Sequence, residues 1–222
     1  MSLGIKLQGV TVDFGGHLAL SGVNLDLSAR STAVVGVNGS GKSTLARLLN
    51  GLVKPSAGTV SVAGSEPSTE HAGFLFSNPD LQIVMPTVYE DVAFSLKGLG
   101  LSEPEVAKRV SEALGAVGIE QLATSNCYEL SSGQKQLLAI AAIMVRAPKL
   151  LIADEPTTLL DLPNTKRVSQ LLHSLALEQL VVVTHDLELA STFDEVVWFH
   201  EGKVRSIGAP EKVTKEYREF FE

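Results

Sequence analysis

Hydrophobic and polar residues alternate along the first part of the chain, over Ile5–Phe14 and again over Leu18–Leu27. A period of two is typical of strands that bury one face, and the glycines in residues 15–17 predict a turn between the two segments. We therefore predict an antiparallel pair of strands at the start of the chain. Two further short strands are predicted over Gly58–Ala63 and Ala72–Phe76.

The pattern becomes helical from Glu90 to Ala123, which predicts an insert of helices. One of these helices is predicted to begin after Ser102, because serine caps helix starts well and the residues that follow supply an early Pro104 and acidic side chains. The chain has no long linker, repeat or low-complexity tract. We therefore expect the helices to form a subdomain of a single domain.

Continuous apolar runs occupy Leu150–Ala153 and Leu180–Thr184, and Ser31–Val35 is a similar short run. Such runs are typical of parallel strands that are covered on both faces. Val196–Phe199 and Lys203–Ser206 predict a closing hairpin. The predicted fold class is α/β, with a central mostly parallel sheet, an antiparallel β edge and an inserted α-helical subdomain.

The composition of the chain is that of an ordinary globular protein. Its 222 residues are 45% hydrophobic, and the longest apolar run, Leu137–Val145, is far shorter than the about 20 residues that cross a bilayer. Residues 1–6 lack the features of a secretory signal, so we expect the protein to stay where it is made, and the lone Cys127 is interpreted as a packing residue. The net charge of −7, without a cluster of lysine and arginine, argues against a nucleic-acid partner.

The segment Gly36–Thr44 follows a predicted buried strand and precedes an apolar helical face. It satisfies the phosphate-loop pattern GxxxxGK[ST]; the alternative for the motif alone is a glycine-rich turn that fits by chance. Glycines at such a turn let successive N–H groups point at phosphate oxygens, at the positive end of a helix dipole. The segment therefore predicts a nucleoside-triphosphate site. Its nucleotide-contacting residues are predicted to be Asn38, Gly39, Ser40, Gly41, Lys42, Ser43 and Thr44.

Polar side chains at the ends of two apolar runs suggest the chemistry of this site. Asp154 and Glu155 are adjacent, so they point to different sides of a strand end. We expect Asp154, with the Ser43 hydroxyl, to bind Mg²⁺, and Glu155 to orient the attacking water. His185 ends the next run and is expected at the same edge of the sheet, facing the γ-phosphate. Without the phosphate loop upstream, each of these would more often be a plain strand end or a structural residue.

The segment Leu130–Gln136 resembles the LSGGQ signature of ABC-type ATPases. The order of motifs also matches that family: Phe14, the phosphate loop, the helical insert, the signature, Asp154 with Glu155, the loop at Asp161, and His185. The resemblance covers essentially the whole chain. It implies a P-loop NTPase with a RecA-like core over residues 1–77 and 146–222 and a signature subdomain over about 78–145.

This resemblance also implies a head-to-tail dimer that binds ATP and Mg²⁺. In the family the signature meets the γ-phosphate held by a partner subunit, with Asp161 in the adjoining D-loop. The signature residues here are Ser131, Ser132, Gly133 and Gln134. A chain that carries both halves of the site can form two complete sites with a second copy of itself or with a homologous ATPase subunit. The ring of Phe14 is expected to stack on adenine.

A narrower resemblance lies in residues 76–94, which are similar to the FQNPDDQ and TVxEDVAF stretch of ATPase subunits of energy-coupling-factor (ECF) importers. These importers take up vitamins and cobalt or nickel, and Thr157–Leu162 is most similar to their biotin-type subunits. The resemblance implies a cytoplasmic subunit, peripheral on the inner face of the cell membrane. Residues 85–91 would receive a membrane coupling subunit, to which a substrate-binding membrane protein attaches. Because that protein sets the specificity, the sequence does not name the solute.

Three residues depart from the family's pattern. Ser77 stands where the family has a glutamine that touches Mg²⁺ and the attacking water. A serine reaches them only through a bridging water, so we expect hydrolysis that is either slower or coupled differently. Ser132 replaces the first glycine of the signature, and Phe14 replaces a tyrosine. We expect both of these changes to be tolerated, because serine is small and a phenyl ring still stacks.

Two functions of different classes remain: the motor subunit of an importer, and a soluble ABC ATPase that acts on DNA or ribosomes. Soluble classes usually carry paired ATPase units, coiled-coil arms, zinc-binding cysteine pairs or basic surfaces, and this sequence has none of them. The importer is therefore favoured. A third hypothesis, a module that binds nucleotide without hydrolysing it, is raised by Ser77 and opposed by Lys42, Asp154, Glu155 and His185.

Overall fold

The structure of the chain, a computed structural model, describes residues 3–69 and 72–222. Its strands are β1 (Ile5–Phe14), β2 (His17–Leu27), β3 (Ser31–Val35), β4 (Ala57–Val62), β5 (Ala72–Leu75), β6 (Leu150–Asp154), β7 (Gln179–Val183), β8 (Glu195–His200) and β9 (Lys203–Gly208). Its α-helices are α1 (Lys42–Asn50), α2 (Val88–Phe94), α3 (Glu103–Val117), α4 (Ser132–Met144), α5 (Leu162–Ser174), α6 (Leu187–Ala190) and α7 (Pro210–Phe221). Each predicted strand is present, with ends within two residues of the predicted ones.

The alternating segments form an antiparallel sheet in the order β2-β1-β4. Ile5 lies opposite Leu27 in β2 and opposite Val62 in β4, so β1 is the central strand of this sheet. Most apolar residues of β1 and β2 are buried and most residues between them are exposed, as the period of two predicted; the exceptions, Phe14 and Leu18, are exposed beside the turn that joins the strands.

The continuous apolar runs form a second, mostly parallel sheet in the order β5-β6-β7-β3-β8-β9. β6, β7, β3 and β8 pair in parallel, and β9 closes the edge by antiparallel pairing with β8. The residues of β6 and β7 are all buried, because the central strands of a parallel sheet are covered on both faces. The predicted class, a mostly parallel sheet with an antiparallel edge, is confirmed.

The helical insert predicted from Glu90 contains separate helices, the first of which are α2 and α3. α2 begins earlier, at Val88, because Thr87 and Glu90 form a capping box in which the Thr87 N–H and hydroxyl both donate to the Glu90 carboxylate. Residues 95–102 are not helical, and Gly98 and Gly100 within them adopt φ of 84° and 68°. α3 then starts after Ser102, as predicted.

The chain divides into two compact units. The first takes in the described residues up to Phe74, together with Lys149–Glu155 and Leu177–Glu222, and so holds both sheets. The second takes in Leu75–Pro148 and Pro156–Ala176, and so holds α2 to α5, although the sequence-based division assigned residues 156–176 to the core. Among the helices within the described ranges, none is both long and apolar enough to cross a bilayer.

Cys127 lies in the interior of the second unit. Its side chain is buried, and desolvation, followed by the nearby carboxylates of Asp91 and Glu90, raises the pKa of the thiol to about 11. A thiol with so high a pKa stays protonated at neutral pH and is a poor nucleophile. The burial supports the interpretation of Cys127 as a packing residue.

The central strand β6 offers a test of the fold. Ile152 is fully buried and lies in register with Val181 of β7, so replacing it by alanine leaves a cavity in the core. We expect Ile152→Ala to lower the free energy of unfolding by about 2–5 kcal/mol. Urea unfolding followed by circular dichroism measures this change.

The matched control is Leu18→Ala, because Leu18 lies in a strand but is 55% exposed. Its unfolding free energy should stay within about 0.5 kcal/mol of that of the wild-type chain. Equal losses in the two variants would contradict the placement of Ile152 in the core.

Candidate functional site

Three loops follow neighbouring parallel strands of the central sheet and therefore leave it at the same edge. The phosphate loop follows β3, Asp154 and Glu155 stand at the end of β6, and His185 follows β7. The pairing of Asp154 with Val183 and of Val34 with Val183 sets these ends level with one another. The topology thus brings together residues that are far apart in the sequence.

The phosphate loop turns directly into α1, and its last glycine is the N-cap of that helix. Gly41 has a φ of 103°, which only glycine adopts readily. A Cβ at this position would lie 2.5 Å from the carbonyl oxygen of Ala19 in β2, so the backbones approach too closely for any side chain. The first N–H groups of α1 have no partner within the helix, which makes this end of the helix suitable for an anion.

Lys42, the first residue of α1, is only 5% exposed. Its ammonium group donates to the carbonyl oxygens of Gly36, at 2.7 Å, and of Val37, at 3.0 Å. Desolvation lowers the pKa of this ammonium, while the carboxylates of Glu155 and Asp154 act against that change. The result is a positive charge within the loop, close to two negative ones.

Ser43 and Asp154 form a pair next to this lysine. The Ser43 hydroxyl donates to Asp154 Oδ1 at 2.9 Å. Burial raises the pKa of the Asp154 carboxyl, and this hydrogen bond together with the charges of Arg47 and Lys42 opposes the shift. A hydroxyl and a carboxylate oxygen side by side are the donors that Mg²⁺ prefers, so the pair fits the predicted metal site.

Glu155 and His185 are joined by a hydrogen bond of 2.8 Å between Glu155 Oε2 and His185 Nδ1. With Glu155 ionised, Nδ1 carries the proton and donates it, which leaves Nε2 of the ring available to another group. The backbone of Glu155 has a φ of 54°, unusual for a residue with a side chain, while its N–H donates to Val183. Strain of this kind is concentrated at functional sites, so the geometry supports a chemical role for Glu155.

The predicted signature lies in the second unit, at the start of α4. Ser131 is the N-cap of this helix and forms a capping box with Gln134: the Ser131 N–H donates to Gln134 Oε1 at 2.8 Å, and the Gln134 N–H donates to the Ser131 hydroxyl at 3.3 Å. Ser131 and Ser132 are exposed, whereas Gly133 is buried. Asp161 is the N-cap of α5, and Ser77 is half-buried between β5 and α2.

Phe14 ends β1 and is 54% exposed, so its ring is accessible. In the first unit, the structure therefore places the phosphate loop, Asp154, Glu155 and His185 at one edge of the sheet, and Phe14 on the strand pair whose Ala19 carbonyl contacts the loop. Ser77, Asp161 and the signature belong to the second unit.

Gly202, in the turn between β8 and β9, contacts the phosphate loop and was missed from the sequence. Its N–H donates to the Ser40 carbonyl at 2.9 Å, and its own carbonyl accepts the Ser21 N–H at 3.0 Å. The sequence marked this residue only as part of a hairpin turn. The sequence shows a glycine after the apolar strand β8, but a glycine in a turn does not indicate which residues the turn contacts.

Comparison with protein-family models gives one match, to the ABC transporter family, over residues 20–158. The match runs from within β2 through the phosphate loop and the signature to the segment after Glu155, and so includes most of the residues described above.

Named relatives match over nearly the full chain. The biotin transport ATP-binding protein BioM of Rhizobium etli is 40% identical, covering 98% of this chain and 99% of that protein. The energy-coupling factor transporter ATP-binding protein EcfA of Syntrophomonas wolfei is 42% identical over 88% of this chain and 76% of its own length. Among solved structures, cbiO1 from Clostridium perfringens, part of the ABC transporter complex cbiONQ, has a TM-score of 0.88 at 35% identity, covering 96% of this chain and 91% of that one. The chain therefore belongs to the ABC transporter family and has the fold of its ATP-binding subunits.

Proposed function

We propose that this chain hydrolyses ATP to drive an importer of the ECF type, with a vitamin or a transition-metal ion as the solute and biotin favoured. The observation that carries the ATPase part is the pair of contacts at the ends of β6 and β7, Ser43 with Asp154 and Glu155 with His185. The similarity to BioM and to cbiO1 supports the transport part.

The residues of the phosphate loop are suited to the triphosphate of ATP. The loop presents backbone N–H groups at the start of α1, and the Lys42 ammonium can exchange its two carbonyl partners for phosphate oxygens. Ser43 and Asp154 would hold Mg²⁺, which when bound neutralises phosphate charge. Phe14 would supply an exposed ring for the adenine.

Glu155 acts on the attacking water in this proposal. Its carboxylate is fixed by His185 and by the strained backbone at the strand end, so it can accept a hydrogen bond from water in a defined direction and polarise it. The Nε2 atom of His185 is then free to contact the γ-phosphate. Because Glu155 and His185 are hydrogen-bonded to each other, the position of the attacking water is coupled to that of the γ-phosphate.

The second half of the site comes from another chain. Ser131, Ser132, Gly133 and Gln134 start a helix with exposed small polar residues, an arrangement that can receive an anion. We propose that two chains, either identical or homologous, clamp two ATP molecules head to tail. Hydrolysis removes the γ-phosphate and its charge from this interface, which then reopens.

The membrane partner is proposed to bind the second unit near residues 85–91. Two exposed side chains lie next to this segment in the chain or through a backbone contact: Val84, 61% exposed, precedes it, and Tyr128, 81% exposed, follows Cys127, whose N–H donates to the Pro86 carbonyl. Asp91 fixes its backbone by accepting the N–H groups of Val84 and Met85. Exposed apolar patches on a rigid segment are typical of protein interfaces. Binding there would place the chain at the cytoplasmic face of the membrane.

Glu155→Gln tests the catalytic assignment. The amide keeps the size of the side chain but accepts a proton poorly, so we expect ATP hydrolysis to fall about 100-fold or more while ATP binding remains. The variant should accumulate as an ATP-bound dimer, which gel filtration with and without ATP detects. Lys42→Ala is the contrasting control, because losing a charged hydrogen-bond donor should weaken ATP binding at least about tenfold. Undiminished phosphate release by Glu155→Gln would exclude Glu155 as the catalytic residue.

Ser77→Gln tests the departure from the family's pattern. In the family's pattern a glutamine at this position contacts the attacking water, and one additional hydrogen bond of about 1 kcal/mol would correspond to about a fivefold faster turnover. Phosphate release at saturating ATP measures the rate. Ser77→Asn, with a shorter amide, should gain much less. Equal rates for the wild-type and glutamine chains would show that the serine does not limit hydrolysis.

Purification of the tagged chain from gently solubilised native membranes tests the transport part. Mass spectrometry should identify a multi-span coupling subunit and a small, very hydrophobic solute-binding protein. Val84→Glu should reduce this recovery, because it introduces a charge into the proposed contact, whereas Leu18→Glu, equally exposed in the first unit, should not. Recovery of ribosomes or DNA-binding proteins instead would favour the soluble ATPase.

A further inference from the structure

Asn164, in the first turn of α5, contacts both Asp161 and Gly133 within the second unit. Its backbone N–H and its side-chain Nδ2 both donate to Asp161 Oδ1, at 3.0 and 2.7 Å. The same amide faces the backbone of Gly133 in α4. Asn164 therefore lies between the D-loop and the signature.

The contact with Gly133 leaves no room for a side chain. A Cβ at this position would lie 2.5 Å from both Cγ and Oδ1 of Asn164 and 2.9 Å from its Nδ2. Real Cβ atoms do not approach other atoms so closely, so either the amide or the start of α4 would have to move. The amide of Asn164 therefore occupies the space that a side chain at position 133 would need.

Contacts made by neighbouring residues of α5 hold the helix in place around Asn164. Two residues of the same helix, Val168 and Leu172, are buried. Arg167 donates to the carbonyl oxygens of Val117 and Gly118 at the end of α3, at 3.1 and 3.0 Å. These contacts oppose a movement of α5 away from α4, so a Cβ at Gly133 would have to displace either the Asn164 amide, with loss of its hydrogen bond to Asp161, or the start of α4.

We propose that Asn164 is a positioning residue that fixes the distance between the signature and Asp161, so that both reach the nucleotide of the partner chain together. This role rests on the proposed ATPase dimer. Asn164 does not itself contact the nucleotide in this proposal. It acts through Asp161 by hydrogen bonds and through Gly133 by packing, and these two contacts can be separated by mutation.

A double-mutant cycle tests the packing contact. Gly133→Ala should lower the turnover number at least about tenfold, because the added Cβ displaces the start of α4. Asn164→Ala removes the three atoms that meet this Cβ, and should lower turnover about threefold to tenfold through the lost contacts. In the Asn164→Ala background, Gly133→Ala should then have little further effect. The absence of a further effect would identify the contact. If the two residues were independent, the turnover of the double variant would fall by the product of the two single factors.

Asn164→Asp tests the hydrogen bond separately. It keeps the volume against Gly133 but places a carboxylate in front of Asp161, so turnover should fall as it does in Asn164→Ala. The matched control is Gln170→Ala, which removes an exposed amide from the same helix and should hydrolyse ATP at the wild-type rate. Circular dichroism confirms that each variant is folded.

Two further readouts separate positioning from general damage. The affinity for a fluorescent ATP analogue should stay unchanged in all of these variants, because the phosphate loop belongs to the other unit. The ATP-dependent dimer formed in the Glu155→Gln background should become weaker with Asn164→Ala. A merely structural role would leave this dimer as stable as before.

The results distinguish the inference from the proposed function. If the wild-type chain hydrolyses ATP but Gly133→Ala loses the same factor in both backgrounds, or if Asn164→Ala turns over at the wild-type rate, the role of Asn164 is overturned and the ATPase assignment stands. A wild-type chain that neither hydrolyses ATP nor forms an ATP-dependent dimer overturns the proposed function, and the role of Asn164 with it.

Discussion

The site depends on the attraction between one buried ammonium group and two carboxylates at the edge of a parallel sheet. Burial alone lowers the pKa of Lys42 and raises that of Asp154, so each charge would be costly without the other. β3, β7 and β6 lie side by side and end together, which places these charges before any ligand arrives. A preorganised site of this kind does not have to rearrange its own dipoles when phosphate charge enters.

The same loop is also held by backbone contacts that exclude side chains. Gly41 lies against the Ala19 carbonyl of β2, and Gly202 donates to the Ser40 carbonyl from the turn between β8 and β9. Both contacting segments come from sheets with buried faces, so the loop is supported on two sides by rigid elements. The antiparallel strands at either end of the chain therefore contribute to the nucleotide site as well as to the core.

Strand positions could be predicted from the sequence because they depend on local periodicity, and the edge shared by Asp154 and His185 followed from the parallel order of apolar runs. The contacts of Gly202 with the phosphate loop and of Asn164 with Gly133 could not be predicted in this way. Each joins residues distant in the sequence, and neither glycine turns nor an asparagine after a helix cap indicate their partners. The start of α3 could be predicted because its capping residues are local, whereas the sequence pattern did not show where α2 ends, before the positive φ angles of Gly98 and Gly100.

The neighbours of each signature residue explain which departure from the family's pattern this chain can carry. Ser132 is exposed at the start of α4, so its side chain extends into solvent and the helix start is unchanged. Gly133 is one residue farther along, and there any side chain would meet Asn164. The residue at position 132 can therefore be replaced by another small polar residue. The residue at position 133 determines how closely α4 and α5 pack. In the proposed dimer this helix start would meet a phosphate on another chain, and keeping the distance between α4 and α5 would then matter more than keeping a second glycine.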